Sequence, residues 1–421
     1  MRAALVNHRY PPFRGGSELY FQKIAEWLHS RGVSTRVLTT NAFDLEYFWD
    51  SSRQTIGAPV REIINGVEVE RLPVEHTPFS TVLFPIVRRG MGEASRIVGA
   101  PSPFRHLSRT FPNVSGLREA LSREPRPDLI ISGNLGLEGL AITALESARE
   151  TGAAFVLAPF AHLGEGPQSV ARRYVSMPHH RELVRRSDML IALTGMEARF
   201  LEEIGAQPSK IVVAGAGVDL PGCSGVRTPD GVARAEEPFT VLSIGALAMD
   251  KGTDQLVEAS RILADRGFGH RLVLVGPELQ SFSNWFEATD GEQNSWIERP
   301  GIVSEEEKQK LLADADVFAL PSRTESFGIV YLEAWVHRRP VIGAAVGAVT
   351  DVIADEVDGL LVPFGEPAAL AQAIERLKSD PGLAERLGEA GYAKVARKYT
   401  WEQVLRRIEI GFLNVLGIEL G

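Results

Sequence analysis

Cysteine is almost absent from this sequence: Cys223 is the single one among 421 residues. This excludes an internal disulfide framework and a zinc site made of several cysteines, and it fits a reducing compartment. An excess of positive charge is also lacking, because 45 Lys and Arg residues face 54 Asp and Glu residues, for a formal net charge of −9. We therefore expect no nucleic-acid partner, since the protein has no overall basic field.

Long apolar runs are missing as well. The first run, 3–6, is too short for the core of a signal peptide, and the most apolar window, 81–87, is far below the roughly 20 residues of a membrane-spanning helix. The composition is otherwise ordinary, with 44% hydrophobic and 24% charged residues, as in globular proteins with a large core. We expect a cytoplasmic protein, and contact with a membrane surface stays open.

Short apolar runs alternate with helical patterns along the chain. Strands are predicted, for example, at 2–7, 154–158 and 239–244, and Ser17 is the predicted N-cap of a helix over 17–30. Continuous apolar strands separated by helices are typical of parallel sheets that are covered on both faces. The sequence therefore predicts an α/β protein.

A stretch rich in glycine, proline and charge interrupts this pattern at 221–238, and the alternation then starts again. We predict two Rossmann-like, doubly wound domains that face each other across a cleft, over 1–220 and 239–398, with 221–238 as the linker. The last segment, 399–421, is predicted to be an amphipathic helix that packs back on the N-terminal domain. Ligands of doubly wound folds bind at the carboxyl ends of the strands.

Two turns between a strand and a helix carry residues that suit anions. Gly15 and Gly16 precede a predicted helix, so backbone N–H groups and a helix N-terminus can approach a phosphate there. Lys251 stands just before another helix, in the turn that begins at Gly245, where a cation and a helix N-terminus together suit a diphosphate. From these residues alone, a tight turn and a solvated lysine are the more common interpretations.

A third turn holds two carboxylates. Glu325 follows the predicted strand 317–320, and Glu333 lies eight residues later within the next helix. Carboxylates accept hydrogen bonds from sugar hydroxyls, and an irregular first turn would let both side chains point to the same pocket. Spacing alone fits two ordinary surface glutamates as well.

Three further polar residues stand next to predicted strands. His162 follows the strand at 154–158 and is a candidate donor or acid–base group, although a single histidine is more often structural. Asp188 and Asp316 each lie between a helix and a buried strand, and we interpret both as structural.

Taken in order, these segments resemble the retaining glycosyltransferases of family 4. The similar segments include PPFRGGSELY, LAPFAH, RRSDMLIALT, SIGALAMDKG and ESFGIVYLE, and they extend over nearly the whole chain. The resemblance implies the GT-B architecture and transfer of a sugar from a UDP-sugar or GDP-sugar to an acceptor hydroxyl of a polysaccharide, a lipid or a small-molecule glycoside. It further implies a hexosyltransferase that retains the anomeric configuration and needs no metal or other cofactor.

The resemblance also implies how the donor is bound. Lys251 is expected to contact the diphosphate, Glu325 the hydroxyls of the donor sugar, and Glu333 the hydroxyls of the ribose. The other expected donor-binding positions are Gly245, Ile302, Val303, Phe327 and Gly328.

The N-terminal half carries the remaining implied site residues. Gly15 and Gly16 are expected to close over the diphosphate, and His162 to lie near the transferred sugar and the acceptor. His162, Lys251 and Glu325 are thus the expected catalytic residues. The leaving diphosphate would take the proton of the acceptor during attack on the same face.

Ala246 departs from the family's pattern, in which an arginine directly follows the glycine of this turn. A guanidinium at a diphosphate is hard to replace, and Arg14 and Arg323 are the candidates to compensate. The departure leaves open a non-catalytic relative that binds a sugar nucleotide or a protein partner. A dinucleotide oxidoreductase is disfavoured, because the GxGxxG loop is missing.

The acceptor stays undetermined, and the segment 75–115 is unusual. It combines aromatic and aliphatic residues with a local excess of arginine. One interpretation is a loop that covers the acceptor, with solvated arginines; the other is contact with an anionic membrane or a phosphorylated acceptor. The arginines are Arg88, Arg89, Arg96, Arg105 and Arg109, and the apolar residues are Phe79, Leu83, Phe84, Ile86, Phe104 and Phe111.

Overall fold

The structure, a computed structural model, describes residues 1–13, 15–57, 60–110, 112–164, 166, 169–220, 238–289 and 294–420. The chain divides into two compact units. The N-terminal unit comprises 1–162, 167–215 and 404–421, and the C-terminal unit comprises 163–166 and 216–403. Both units are built from strands that alternate with helices.

An eight-stranded sheet forms the centre of the N-terminal unit, in the order β10-β9-β8-β7-β1-β2-β4-β3. Its neighbouring strands are parallel, except that β3 runs antiparallel to β4 at the edge. A separate antiparallel pair joins β5 to β6. The strands are β1 Arg2–Val6, β2 Ser34–Thr40, β3 Arg61–Ile64, β4 Val67–Leu72, β5 Val74–Glu75, β6 Asn113–Val114, β7 Leu129–Gly133, β8 Ala154–Ala158, β9 Met189–Ala192 and β10 Ile211–Val213.

Eight helices accompany these strands in the described part of the N-terminal unit, before the C-terminal segment. They are α1 Gly16–Ser30, α2 Ser80–Ala94, α3 Pro101–Ser108, α4 Leu117–Ser122, α5 Gly139–Thr151, α6 Val170–Tyr174, α7 Pro178–Arg186 and α8 Gly195–Glu203. Short 3-10 turns occur at Leu45–Phe48 and Pro208–Lys210. The predicted N-cap Ser17 is wrong: α1 begins at Gly16, with Gly15 as its N-cap, and the Ser17 hydroxyl donates to the Glu18 carboxylate instead.

The C-terminal unit is built on a six-stranded parallel sheet in the order β13-β12-β11-β14-β15-β16. Its core strands are fully buried because helices cover both faces. The strands are β11 Phe239–Ile244, β12 His270–Val275, β13 Ile297–Gly301, β14 Val317–Leu320, β15 Val341–Ala344 and β16 Leu360–Val362. The helices are α9 Thr253–Asp265, α10 Gln280–Ala288, α11 Glu305–Asp314, α12 Ile329–Val336, α13 Val349–Val352, α14 Pro367–Ser379 and α15 Pro381–Lys398, with a 3-10 turn at Met249–Lys251.

Aspartates at strand entries fasten neighbouring strands to each other. Asp188, just before β9, accepts the Phe155 N–H of β8 at 2.8 Å. Asp316, just before β14, accepts the Thr240 N–H of β11 at 2.7 Å. The structural interpretation of both aspartates is therefore confirmed.

The last helix, α16 Trp401–Gly411, continues into a π-helical turn at Phe412–Leu416. Val404, Ile408 and Phe412 form one fully buried stripe. The Arg407 guanidinium donates to the Ala214 carbonyl at 2.6 Å, and the Phe412 ring lies 6.3 Å from the Trp27 ring of α1. The predicted return of the C-terminal helix to the N-terminal domain is thus confirmed.

Two sequence predictions concern segments outside the regular core. The predicted linker 221–238 lies outside the described residues, apart from Pro238. The segment 75–115 is not a simple loop, because α2 and α3 occupy most of it. Among the described residues, none of the helices combines the length and the hydropathy that crossing a membrane would require.

Candidate functional site

Most of the predicted site residues lie at one edge of the C-terminal sheet. Because β11, β13 and β14 are parallel, the segments that follow them leave the sheet at the same edge. Lys251 follows β11, Ile302 follows β13, and Glu325 follows β14. Parallel topology thus gathers residues that are far apart in the sequence.

Lys251 and Glu325 are in direct contact. The Lys251 ammonium lies 2.5 Å from the Glu325 carboxylate, with side-chain exposures of 22% and 14%. The two turns are also joined through Asp250: its carbonyl accepts the Arg323 N–H at 2.9 Å, and its carboxylate accepts the Thr324 hydroxyl at 2.8 Å. Asp250 and Thr324 were not predicted from the sequence, and they hold the two charged residues in register.

The turn after Glu325 needs a glycine. Gly328 adopts a left-handed φ of 85°, and a Cβ there would also collide with the Tyr331 ring. The Tyr331 hydroxyl donates to the Leu320 carbonyl at 2.6 Å, and the buried Phe327 ring packs edge-to-face on Tyr399 at 5.4 Å. These contacts fix the irregular entry into α12.

Glu333 has a partner that the sequence did not reveal. The Lys308 ammonium of α11 lies 2.8 Å from the Glu333 carboxylate of α12, and both side chains are largely buried. Burial raises the pKa of Glu333, and Lys308 opposes this only in part. Burial lowers the pKa of Lys308, but the carboxylates of Glu333 and Glu305 together outweigh this effect, so the net shift is upward.

The remaining positions of this edge differ in exposure. Gly245 directly follows β11, and its N–H donates to the Val275 carbonyl at 2.9 Å. Ile302 is 78% exposed although it is aliphatic, and Val303 is half-buried. Arg323, a candidate replacement for the arginine missing at Ala246, places its guanidinium 5.3 Å from the centre of the Phe364 ring. Arg14, the other candidate, lies outside the described residues.

Gly15, Gly16 and His162 belong to the N-terminal unit. A Cβ at Gly15 would collide with the Glu18 carboxylate, which is buried in the first turn of α1. That carboxylate also accepts from the Arg9 guanidinium at 2.9 Å. His162 is exposed and follows β8.

One buried cluster of potential metal ligands occurs among the described residues, formed by Glu138, His179 and His180. The Glu138 carboxylate lies 2.7 Å from His179 Nε2 and 2.8 Å from the Arg88 guanidinium, and it accepts the Ser108 hydroxyl at 2.6 Å. Burial favours the neutral acid, but Arg88 and the histidines outweigh it and hold the pKa of Glu138 well below its usual range. Since Arg88 already balances this charge, a metal ion would place a second cation beside it, so we interpret the cluster as structural.

Two family models match consecutive parts of the chain. Residues 15–217 match the glycosyl transferase 4-like domain, and residues 228–394 match glycosyl transferases group 1. Together these segments cover most of the 421 residues.

Curated proteins with similar sequences are named as glycosyltransferases. A D-inositol 3-phosphate glycosyltransferase of Nocardioides sp. is 31% identical over 270 residues, 58% of this chain and 56% of that protein. One of the same name from Thermomonospora curvata is 27% identical over 94% of this chain and 89% of its own length. The matched regions span about half of the first relatives, 56%, 49% and 63% of their lengths.

Solved structures support the fold. HepE of Anabaena in complex with UDP-glucose aligns with a TM-score of 0.69 at 18% identity, over 97% of this chain and 98% of that chain. At this identity the likeness shows the fold alone, and the predicted GT-B class is confirmed. With residues 15–217 and 228–394 matched by these two family models, the protein belongs to the group 1 glycosyl transferases, with a glycosyl transferase 4-like N-terminal part.

Proposed function

We propose that this protein transfers a hexosyl group from a nucleoside-diphosphate sugar to an acceptor hydroxyl, with retention of configuration and without a metal. The observation that carries the proposal is the Lys251–Glu325 pair at the carboxyl edge of the C-terminal sheet. A cation for a diphosphate and an acceptor for sugar hydroxyls stand side by side there, at the edge where doubly wound folds bind nucleotides.

The donor is assigned to the C-terminal unit in this proposal. Lys251 binds the diphosphate, and Glu325 accepts hydrogen bonds from hydroxyls of the donor sugar. Glu333, kept close to Lys308, accepts the ribose hydroxyls. The base of the nucleotide contacts the segment at Ile302. This aliphatic side chain is exposed, so the base can pack on it. The backbone at Gly245, Val303, Phe327 and Gly328 supplies the remaining contacts.

Residues of the N-terminal unit complete the assignment. The N–H groups at Gly15 and Gly16 begin α1, and a helix N-terminus favours an anion. We assign them to the diphosphate and His162 to the acceptor and the transferred sugar. His162 is exposed, so its ring is accessible to a substrate.

In the proposed reaction, the bond from the anomeric carbon to the diphosphate is replaced by a bond to the acceptor oxygen. The bond between the anomeric carbon and the diphosphate oxygen breaks, and the electron pair leaves with the diphosphate, whose charge Lys251 stabilises. The acceptor oxygen forms its bond on the same face of the oxocarbenium-like sugar, and its proton goes to the leaving diphosphate oxygen. Both glutamates are paired with lysines, unlike the acid and nucleophile of glycoside hydrolases.

The proposed donor nucleotide, acceptor and cell compartment rest on the relatives and on the composition. Structural neighbours bind UDP or UDP-glucose, which favours a UDP-sugar over a GDP-sugar. Relatives named for D-inositol 3-phosphate and for colanic acid biosynthesis suggest a phosphorylated polyol or a polysaccharide precursor as acceptor. The single cysteine supports a cytoplasmic protein.

A donor panel tests the proposal. Release of nucleoside diphosphate is measured with UDP- and GDP-hexoses, with and without the two acceptor classes, in buffer with and without EDTA. The NMR coupling of the product's anomeric proton reports retention. We expect one donor to be consumed fastest with its acceptor and without sensitivity to EDTA. An inverted product, or loss of activity in EDTA, would refute the corresponding part of the mechanism.

A non-catalytic relative is the second candidate, and Ala246 is the observation that favours it. Such a protein would bind a nucleotide sugar, or a protein partner, without turning the donor over. Calorimetric titration of UDP-glucose and GDP-mannose next to the donor panel separates the two: binding without release of nucleoside diphosphate favours this candidate.

Peripheral contact with an anionic membrane is a further proposal for 75–115. Its support is α2, on which Val82 and Ile86 lie one turn apart and are each 62% exposed, with Arg89 exposed as well. Phe79, the N-cap of this helix, is 82% exposed. The arginines add less positive charge for an anionic membrane than the sequence suggested, because three of the five form ion pairs with acids outside the segment. These pairs are Arg88–Glu138, Arg105–Glu182 and Arg109–Glu146.

Vesicle flotation tests this contact. We expect the protein to float with phosphatidylcholine vesicles that contain phosphatidylglycerol, and the double variant Val82→Glu, Ile86→Glu to stay in solution. Ile63, 77% exposed on the edge strand β3, provides the matched control Ile63→Glu. Equal flotation of all three proteins would exclude α2 as the contact.

A further inference from the structure

The carboxylate of Glu197 joins the ends of two neighbouring strands in the N-terminal unit. Its Oε1 accepts the Ala161 N–H at 2.7 Å, and its Oε2 accepts the Leu193 N–H at 2.7 Å. Ala161 follows β8, Leu193 follows β9, and these strands are parallel neighbours. Glu197 itself is 2% exposed. The residue after Ala161 is His162, so one buried side chain fixes the backbone that carries this histidine.

The position of Glu197 on α8 shows that this link is more than helix capping. Thr194 is the N-cap of α8, and its hydroxyl accepts the Glu197 N–H at 3.1 Å. In a capping box, the carboxylate at this position would return to the N–H of the N-cap residue. Here it bonds instead to Leu193 and to Ala161 of another strand end.

The backbone next to His162 is held in an unfavourable conformation. Phe160 has a left-handed φ of 48°, which residues with a Cβ rarely adopt. Its ring packs on Tyr20 and Phe21 of α1, with centroid distances of 5.4 and 6.0 Å. Packing of Phe160 on one side and the Glu197 bond to Ala161 on the other thus hold the turn in place.

Stability alone does not account for a buried carboxylate here. Burial raises the pKa of Glu197 to about 7, and the two N–H groups offset this only in part. Thr194 already caps α8, so the start of the helix does not require a buried carboxylate at position 197. Costly conformations and buried charges persist where they position a functional group.

We propose that Glu197 is a positioning residue for His162. Its two hydrogen bonds keep Phe160 in the left-handed conformation and set where the His162 ring is presented. This inference rests on the proposed function, in which His162 contacts the acceptor and the transferred sugar. Glu197 touches no substrate in this proposal and acts only through the backbone of Ala161.

The variant Glu197→Gln is the test. Glutamine keeps the size of the side chain, but its NH2 group faces one of the two backbone N–H groups, so one hydrogen bond is lost. Glu202→Gln is the matched control, because Glu202 is exposed on the same helix. The readouts are kcat, KM, the Kd for UDP, and the NMR chemical shifts of the His162 ring, assigned with His162→Asn.

We expect Glu197→Gln to move the His162 signals and to lower kcat about tenfold to a hundredfold, as for a misplacement near 1 Å. The Kd for UDP should stay as in the wild type, and Glu202→Gln should change nothing. In a His162→Asn background, Glu197→Gln should lower kcat only slightly further. The proposal is overturned if Glu197→Gln has the His162 chemical shifts and the kcat of the wild type. It is also overturned if Glu197→Gln lowers kcat in the His162→Asn background as much as it does in the wild type.

The test also covers a variant that does not fold and a wild type that shows no activity. If Glu197→Gln does not fold, the same readouts on Glu197→Asp decide, because aspartate keeps the charge but cannot reach both N–H groups, and the same results support or overturn the proposal. If the wild type releases no nucleoside diphosphate from any donor, the proposed function fails. The His162 shifts then still show whether Glu197 positions the ring.

Discussion

The Lys251 ammonium lies 2.5 Å from the Glu325 carboxylate, and the two residues come from turns after the adjacent strands β11 and β14. Each is the other's partner in this structure, and the proposed donor needs both, with Lys251 on the diphosphate and Glu325 on the sugar. Donor binding would therefore exchange one ion pair for charge-assisted contacts to the ligand.

Glu325→Ala should abolish transfer and leave the fold intact. The lost contacts are to the donor sugar, and the Lys251 ammonium that remains is 22% exposed and can be solvated, so the free energy of unfolding should fall only modestly. Nucleoside diphosphate release and thermal melting are measured together. Near-normal turnover with unchanged melting would refute the assignment of Glu325.

Glu333→Ala should weaken binding of the nucleoside diphosphate by roughly 1.5–3 kcal/mol, the range of hydrogen bonds to a charged group. Calorimetric titration of UDP gives this value directly. The assignment to the ribose fails if the dissociation constant is unchanged, or if deoxyribose and ribose nucleotides lose affinity equally.

Lys308→Met tests the partner of Glu333. Burial raises the pKa of Glu333 and Lys308 opposes this rise, so removing the ammonium should raise the pKa further. The ionised carboxylate is the stronger acceptor for ribose hydroxyls. As the solution is acidified, the affinity of the variant for UDP should therefore begin to fall at a higher pH than that of the wild type. Identical pH profiles of Kd between pH 5 and 8 would speak against the coupling.

The missing arginine at Ala246 yields a comparison of three variants. Lys251→Ala should lose most activity, because Lys251 is the cation of this turn that the proposal places on the diphosphate. Ala246→Arg should tighten UDP binding unless another cation already fills the place. In that case Arg323→Ala should cost as much as Lys251→Ala. Absence of measurable UDP binding in the wild type and in all three variants would refute the transferase proposal and favour a non-catalytic relative that binds a protein partner.

The parts of the fold that could be predicted are those with a clear local sequence pattern. The strands at Ala154–Ala158, Phe239–Ile244 and Val317–Leu320 have the predicted bounds, because each is a continuous apolar run between helices. Helices α2 and α3 were missed. Exposed apolar residues such as Val82 and Ile86 blur the amphipathic pattern on which prediction of a helix depends.

From the sequence, Lys251 and Glu325 were proposed because each follows a strand end, and Glu333 because it lies eight residues beyond Glu325 in the next helix. The resemblance supplied their expected roles. Lys308 contacts Glu333 of α12, and Glu197 contacts Ala161 after β8. Both contacts join elements that are distant in the sequence, so no local sequence pattern predicts them. Ser17 was misjudged because the cap of α1 is the backbone of Gly15 and not a hydroxyl.

His8 gives a prediction for stability that is independent of catalysis. It is buried after β1, its Nε2 donates to the Leu137 carbonyl at 2.6 Å, and its Nδ1 accepts from the Asn134 amide at 3.2 Å. The neutral ring satisfies both contacts, whereas a proton on Nδ1 would oppose the Asn134 donor. Burial lowers the pKa of His8 to about 4.

The sign follows from proton uptake. Between about pH 6.5 and 4 the unfolded chain protonates His8 and the folded chain does not, so acid stabilises the unfolded state. The free energy of unfolding should be highest above pH 6.5 and fall by roughly 2–3 kcal/mol from this group as the pH approaches 4. His8→Gln should remove that part of the fall, since glutamine does not titrate and can still donate to Leu137.

Urea unfolding at pH 7 and pH 4.5 measures the difference, with the exposed His106→Gln as control. Because buried His180 also has its pKa lowered to about 4, some acid sensitivity should persist in His8→Gln. Equal falls in the wild type and in His8→Gln would show that His8 is not a source of the acid sensitivity.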